Sequence, residues 1–80
     1  MKTKEIKDYK KQISAIAHYF KELRFNENLT QTEAATESGL HRNTISNVEN
    51  SCNYEIVTLL HLCDFYAISV SDLFEILNDI

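Results

Sequence analysis

Between positions 42 and 47 the chain reads RNTISN, and within it Arg42, Asn43, Thr44 and Asn47 carry side chains suited to hydrogen-bonding with flat, edge-on partners. A guanidinium grips O6 and N7 of guanine with two hydrogen bonds, and an asparagine amide does the same for N6 and N7 of adenine. Each such pair discriminates against the wrong base by about 1–3 kcal/mol. That chemistry needs a rigid support presenting the side chains together. An ordinary solvated helix face would show the same residue types without any such role, so the elements around them must decide.

Other chemistries find little here. The 80 residues include one glycine, Gly39, and no proline. A phosphate-cradling loop needs several glycines so that amides can approach an anion, and a nucleophile elbow needs one on each side of its serine. Twelve acidic residues and three histidines allow some acid–base pair to be drawn, but no spacing sets one beside a nucleophile or an oxyanion site. No catalytic residue, and no cofactor, is expected. Cys52 and Cys63 belong to no pair of zinc-site spacing, and His61 and Cys63, two apart on a helix, point in different directions, so no metal is expected either. No apolar run approaches the roughly 20 residues of a bilayer span, and MKTKEIKDYKK lacks the apolar stretch of a secretory leader. The expectation is a cytoplasmic, non-enzymatic protein with no membrane contact and no disulfide.

Hydrophobic periodicity and capping signals divide the chain into five helices and no strands, an all-α protein. Ile6, Tyr9, Ile13, Ile16, Phe20 and Leu23 recur at spacings of three and four and predict an amphipathic helix from 6 to 23. Thr30 with Glu33 is a capping box, each side chain answering a free amide, so a second helix opens near Gln31. Gly39 takes a positive φ without steric cost and stops that helix at 38. A third runs from about Arg42 to Asn50 with Ile45 and Val48 facing inward. Asn53 is a fair N-cap for a fourth, marked by Ile56, Leu59, Leu60 and Cys63. Val57, Leu62 and Phe65 widen its apolar face, which predicts neighbours on more than one side. Ser69 with Asp72 repeats the capping box and opens a fifth, whose apolar residues Val70, Leu73, Phe74, Ile76, Leu77 and Ile80 sweep about 160°, against the about 100° a core-facing helix needs. The surplus at Ile76 and Ile80 either covers a gap in a small core or forms a self-complementary patch that pairs two copies.

Two short helices joined by a three- or four-residue turn containing glycine form a helix-turn-helix, whose second helix stands proud enough to enter a groove about 12 Å wide. The segment Gln31–Asn50, QTEAATESGLHRNTISNVEN, has this form. Ala35 is small where the helices cross, Leu40, Ile45 and Val48 lock the second helix inward, and Arg42, Asn43, Thr44 and Asn47 are left facing outward. From Ile13 to Phe74 the sequence resembles the phage repressor/Cro (XRE-type) helix-turn-helix family, through LTQTEAA, GLHRNTISNVEN, NYEIVTLLHL and ISVSDLF in that family's order. The resemblance implies a compact, five-helix, lambda-repressor-like DNA-binding domain. It also implies that Arg42, Asn43, Thr44 and Asn47 face base edges, that Gln31 and Asn50 bond phosphates, and that Arg24 and Glu49 form a structural ion pair joining the first helix to the third. Ser38 is polar where the family is commonly apolar, and Ser51 replaces a glycine. His41 takes the N-cap of the recognition helix, where Ser or Thr is usual; protonated, it would contact a phosphate and strengthen binding at mildly acidic pH.

The domain reading is a lysine-rich N-terminal extension over 1–12, expected to lengthen the first helix, followed by the helix-turn-helix domain over 13–80. A flexible basic arm is the alternative for the extension. Residues 1–24 hold seven Lys/Arg against three Asp/Glu, whereas residues 25–80 hold only Arg42 against nine acids. Non-specific DNA affinity comes from neutralised phosphates, so a body this acidic predicts weak off-site binding and a shallow salt slope. The expected function is sequence-specific binding of double-stranded DNA by a transcriptional regulator. It would act as a repressor and homodimer on an inverted repeat, with Ile76, Leu77 and Ile80 at the dimer interface. The alternative is a protein-interaction module on the same fold, such as an antitoxin or a regulator's binding partner.

Overall fold

The computed structural model describes residues 9–52 and 54–78. They form five helices in the order α1 (Lys10–Asn26), α2 (Gln31–Ser38), α3 (Arg42–Glu49), α4 (Ile56–Phe65) and α5 (Val70–Asn78), with no strand among the described residues.

Local chemistry starts and stops most of these helices. Thr30 Oγ1 accepts from the Glu33 amide at 3.1 Å while the Glu33 carboxylate accepts from the Thr30 amide at 2.9 Å, so both ends of the capping box are made. Ser69 and Asp72 repeat the exchange ahead of α5 at 3.1 and 3.0 Å. Gly39, at φ +77°, ends α2 in the left-handed region. Ser51 holds φ +61° just past α3, so a serine performs the bend where the resemblance leads one to expect glycine.

Three expectations change. The first helix continues to Asn26, three residues beyond Leu23, because Phe25 can stay half exposed under the Arg24 guanidinium, 4.6 Å from its ring centroid. Its expected start at Ile6 lies outside the described residues; within them, Tyr9 is the N-cap. The fourth helix is capped at Glu55, with no side-chain bond, and Asn53 is outside the described residues. Its wide apolar face is not enclosed: Ile56 is 72% and Val57 60% exposed, and Leu60 is exposed beside them. Leu59, Leu62 and Cys63 make its contribution to the core, and among the described residues its other face stays exposed.

The core gathers Phe20 from α1, Ala35 from α2, Ile45 and Val48 from α3, Leu59, Leu62 and Cys63 from α4 and Leu73 from α5, closed by Tyr66. Tyr66 packs its ring edge on Phe65 at 4.8 Å and leans toward Phe20 at 6.2 Å. Burial and the charge of Glu49 push its hydroxyl up to about 12. The Cys63 thiol is likewise raised by burial, and both cysteines are free. No single described helix is long and apolar enough to cross a membrane. The α4–α5 pair reaches that length and composition only across a 110° bend, and it sends Leu59, Leu62 and Leu73 into the core.

Candidate nucleic-acid interface

The third helix is held from behind so that its outer edge stays free. Ile45 and Val48 are each 1% exposed, pinned between α1 and α2, while Arg42, Asn43 and Asn47 are exposed and Thr44 is half-buried at the margin. At 100° per residue, positions 42, 43 and 47 fall within an arc of about 140°, centred opposite the buried pair. The structure therefore brings Arg42, Asn43 and Asn47 together on one solvent-facing edge.

An ion pair fixes the inner end of α3. Arg24 Nε and Nη2 each donate to a separate oxygen of Glu49 at 2.8 Å, a two-pronged contact with both side chains buried, and Arg24 Nη1 donates to the Leu29 carbonyl at 2.8 Å. Hydrogen bonding to Glu49 raises the arginine above its ordinary value despite its burial. Gln31 Nε2 donates to Glu49 Oε1 at 3.2 Å, so α1, α2 and α3 meet on one carboxylate. An amide nitrogen carries two hydrogens, and Gln31 keeps the second for another acceptor. Its half-buried side chain is oriented before any ligand arrives.

At the start of the helix, His41 is exposed and its Nδ1 accepts from the Asn43 amide at 3.3 Å. The ring itself is the N-cap, its proton resides on Nε2, and a protonated ring would surrender this bond. Asn50 is exposed at the C-cap and its Nδ2 donates to Ser46 Oγ at 2.9 Å. Ser38, polar and buried, donates to the Ala35 carbonyl and accepts from the Leu40 amide, both at 3.3 Å, so its hydroxyl closes the turn from within.

Beside the outer edge of α3 lies an open groove of about 450 Å³ lined by Thr44, Asn47, Tyr54, Glu55 and Thr58. Tyr54, Glu55 and Thr58 were not singled out in the sequence, because the connection across residues 50–55 hides which part of α4 comes alongside α3. On α5, Ile76 and Leu77 are half-buried and Ile80 lies outside the described residues; the exposed apolar side chains there are Val70 and Phe74, the latter 57% exposed. Among the described residues no three His, Cys, Asp or Glu side chains converge on a metal-sized site.

Two helices meeting at a left-handed glycine, the second with a buried apolar side and an exposed Arg/Asn edge, define a helix-turn-helix unit. A family model described as helix-turn-helix matches residues 20–73, more than half of the chain. The chain belongs to this helix-turn-helix family, of the phage repressor/Cro (XRE) type, a class of DNA-binding transcription regulators. Among solved structures it is similar to the wild-type restriction-modification controller protein C.Esp1396I, with 30% identity, 85% of this chain and 91% of that one covered, and a TM-score of 0.70. A structure of C.Esp1396I bound to a 25 base pair operator site is similar to the same degree, at 30% identity, 85% and 91% coverage and a TM-score of 0.70. A comparison with curated proteins gave no match.

Proposed function

We propose that this protein is a sequence-specific, double-stranded-DNA-binding transcriptional regulator that acts as a homodimeric repressor on an inverted repeat. The observation that carries the reading is the two-sidedness of α3: Ile45 and Val48 are sealed in the core while Arg42, Asn43 and Asn47 stand exposed together. Arg42, Asn43, Thr44 and Asn47 read base edges in the major groove, with Arg42 suited to guanine and the asparagines to adenine. Gln31, His41 through Nε2–H, and Asn50 bond the flanking phosphates. These are neutral donors, which suits a body with one basic residue beyond position 24. By likeness to C.Esp1396I, its role is that of a restriction-modification controller protein. Two copies pair through Val70, Phe74, Ile76 and Leu77 of α5, and through Ile80 beyond the described residues, and set their recognition helices about 34 Å apart on successive major grooves.

The test is selection of bound fragments from genomic DNA at about 150 mM salt, repeated with Arg42→Ala. The expected result is an enriched palindrome, and a loss of about 1–3 kcal/mol confined to one base position of each half-site in the variant. No enrichment would transfer the case to the second reading, a protein-interaction module. That reading is favoured by Ile56, Val57 and Leu60, an exposed apolar stretch of α4 on an acidic body.

A further inference from the structure

The bend between α2 and α3 is held by a crowded set of bonds with one member from outside the motif. The Ala35 carbonyl accepts from the amides of Gly39 at 3.0 Å and Leu40 at 3.1 Å and from Ser38 Oγ at 3.3 Å. The carbonyl of Ser38 takes no part in this local circuit, as expected at a helix end, where the last carbonyls have no intrahelical partner. It is met instead by Nε2 of His61, from α4, at 2.6 Å and 23 residues away in sequence. A carbonyl oxygen only accepts, so the imidazole donates and its Nε2 carries a hydrogen. Ring and carbonyl thus join the last residue of α2 to a helix that lies outside the motif.

We propose that His61 is a positioning residue for DNA reading: by tethering the Ser38 carbonyl it sets the direction in which α3 leaves the turn, and so the aim of Arg42 and Asn43 just beyond it. The inference rests on the regulator reading above. At Gly39, whose φ is left-handed, no atom lies within 4 Å of where a side chain would be, so no side-chain packing braces the turn at that residue. Leu40 in the turn and the buried Ile45 and Val48 of α3 pack against the core through apolar contact, which is non-directional, whereas a hydrogen bond fixes direction. His61 contributes the one side-chain bond from α4 to the turn among the described residues.

The experiment compares wild type, His61→Ala and His61→Gln by amide hydrogen exchange without DNA, and by affinity for the selected operator and for an unrelated duplex of equal length. In His61→Ala, exchange of the Gly39 and Leu40 amides is expected to accelerate, and operator affinity to fall, each by about 3–10-fold, the range of one ordinary hydrogen bond. Affinity for the unrelated duplex should not change, and His61→Gln, whose amide also donates, should recover part of both losses. Unchanged exchange at the turn in His61→Ala overturns the proposal whatever the DNA result. Equal losses on both duplexes, matched by a general rise in exchange, also overturn it, because they report simple destabilisation. If wild type selects no sequence, the regulator reading fails and takes the DNA role of His61 with it; the exchange data keep that failure distinct from loss of the tether.

Discussion

The motif and the α4–α5 end of the molecule differ in how much apolar surface they leave exposed. Around α2 and α3 polar groups are answered one by one: Thr30 by Glu33, Ser38 by its own turn, Glu49 by Arg24 and Gln31. No described buried side-chain nitrogen or oxygen lacks a partner. At the other end Ile56, Val57, Leu60, Val70 and Phe74 face solvent. On the proposed function, the difference teaches how a very small domain divides its labour. A reading edge must be rigid, because discrimination between bases depends on placing a two-pronged donor accurately, and rigidity comes from satisfied polar bonds behind the edge. An associating surface gains from apolar area and tolerates a less exact fit.

This contrast breaks most visibly at the Arg24–Glu49 pair. Glu49→Ala strands a buried guanidinium and releases Gln31, and should cost about 3–5 kcal/mol in a urea unfolding experiment. A loss below about 1 kcal/mol would mean that the pair is solvated as a surface pair is, and that the motif is less tightly backed than described. Next comes Gly39→Ala. No atom would meet the added methyl, so the cost is that of the left-handed backbone alone, about 1–2 kcal/mol; a thermal midpoint equal to wild type would show that the turn relaxes. A smaller effect belongs to the exposed capping box. Hydrogen bonds from the Thr30 amide and hydroxyl hold the Glu33 carboxyl below its ordinary value. The folded value is depressed, so this contribution is present above the unfolded value of about 4.3 and is lost as pH falls through the folded one. The stability gap between wild type and Glu33→Ala should therefore narrow in acid, and a gap constant down to pH ~3 would deny the carboxylate its role. Smallest in folding terms is Phe74→Glu, an exposed site where stability should change by no more than about 0.5 kcal/mol. Its light-scattering mass should nonetheless drop to that of one chain, and an unchanged mass would remove this face of α5 from the dimer.

Legibility followed range. The two capping boxes, the stop at Gly39, the bounds of α2 and the inward Ile45 and Val48 were all readable, because each depends on residues within four positions and on the 3.6-residue period. The first helix runs past the end of its apolar stripe because Phe25, off that stripe, finds a cation to rest beneath. The breadth of the fourth helix's apolar face predicts an enclosure the fold does not provide, because hydrophobicity reports what a residue would prefer, not whether a neighbour is there to cover it. Gln31 could be named from the motif, but its bond to Glu49 could not, since eighteen positions separate them.

By itself, then, the amino-acid order determined the five helices, the turn and the edge carrying Arg42, Asn43 and Asn47, since these are consequences of local backbone preferences and of period. Only the tertiary structure decided that His61 would reach Ser38, that Gln31 would be oriented from behind, and that Ile56, Val57 and Phe74 would be left in water. Those outcomes depend on how five short rods stack around one small core, and a chain of this length has too little interior to cover every apolar side chain it carries.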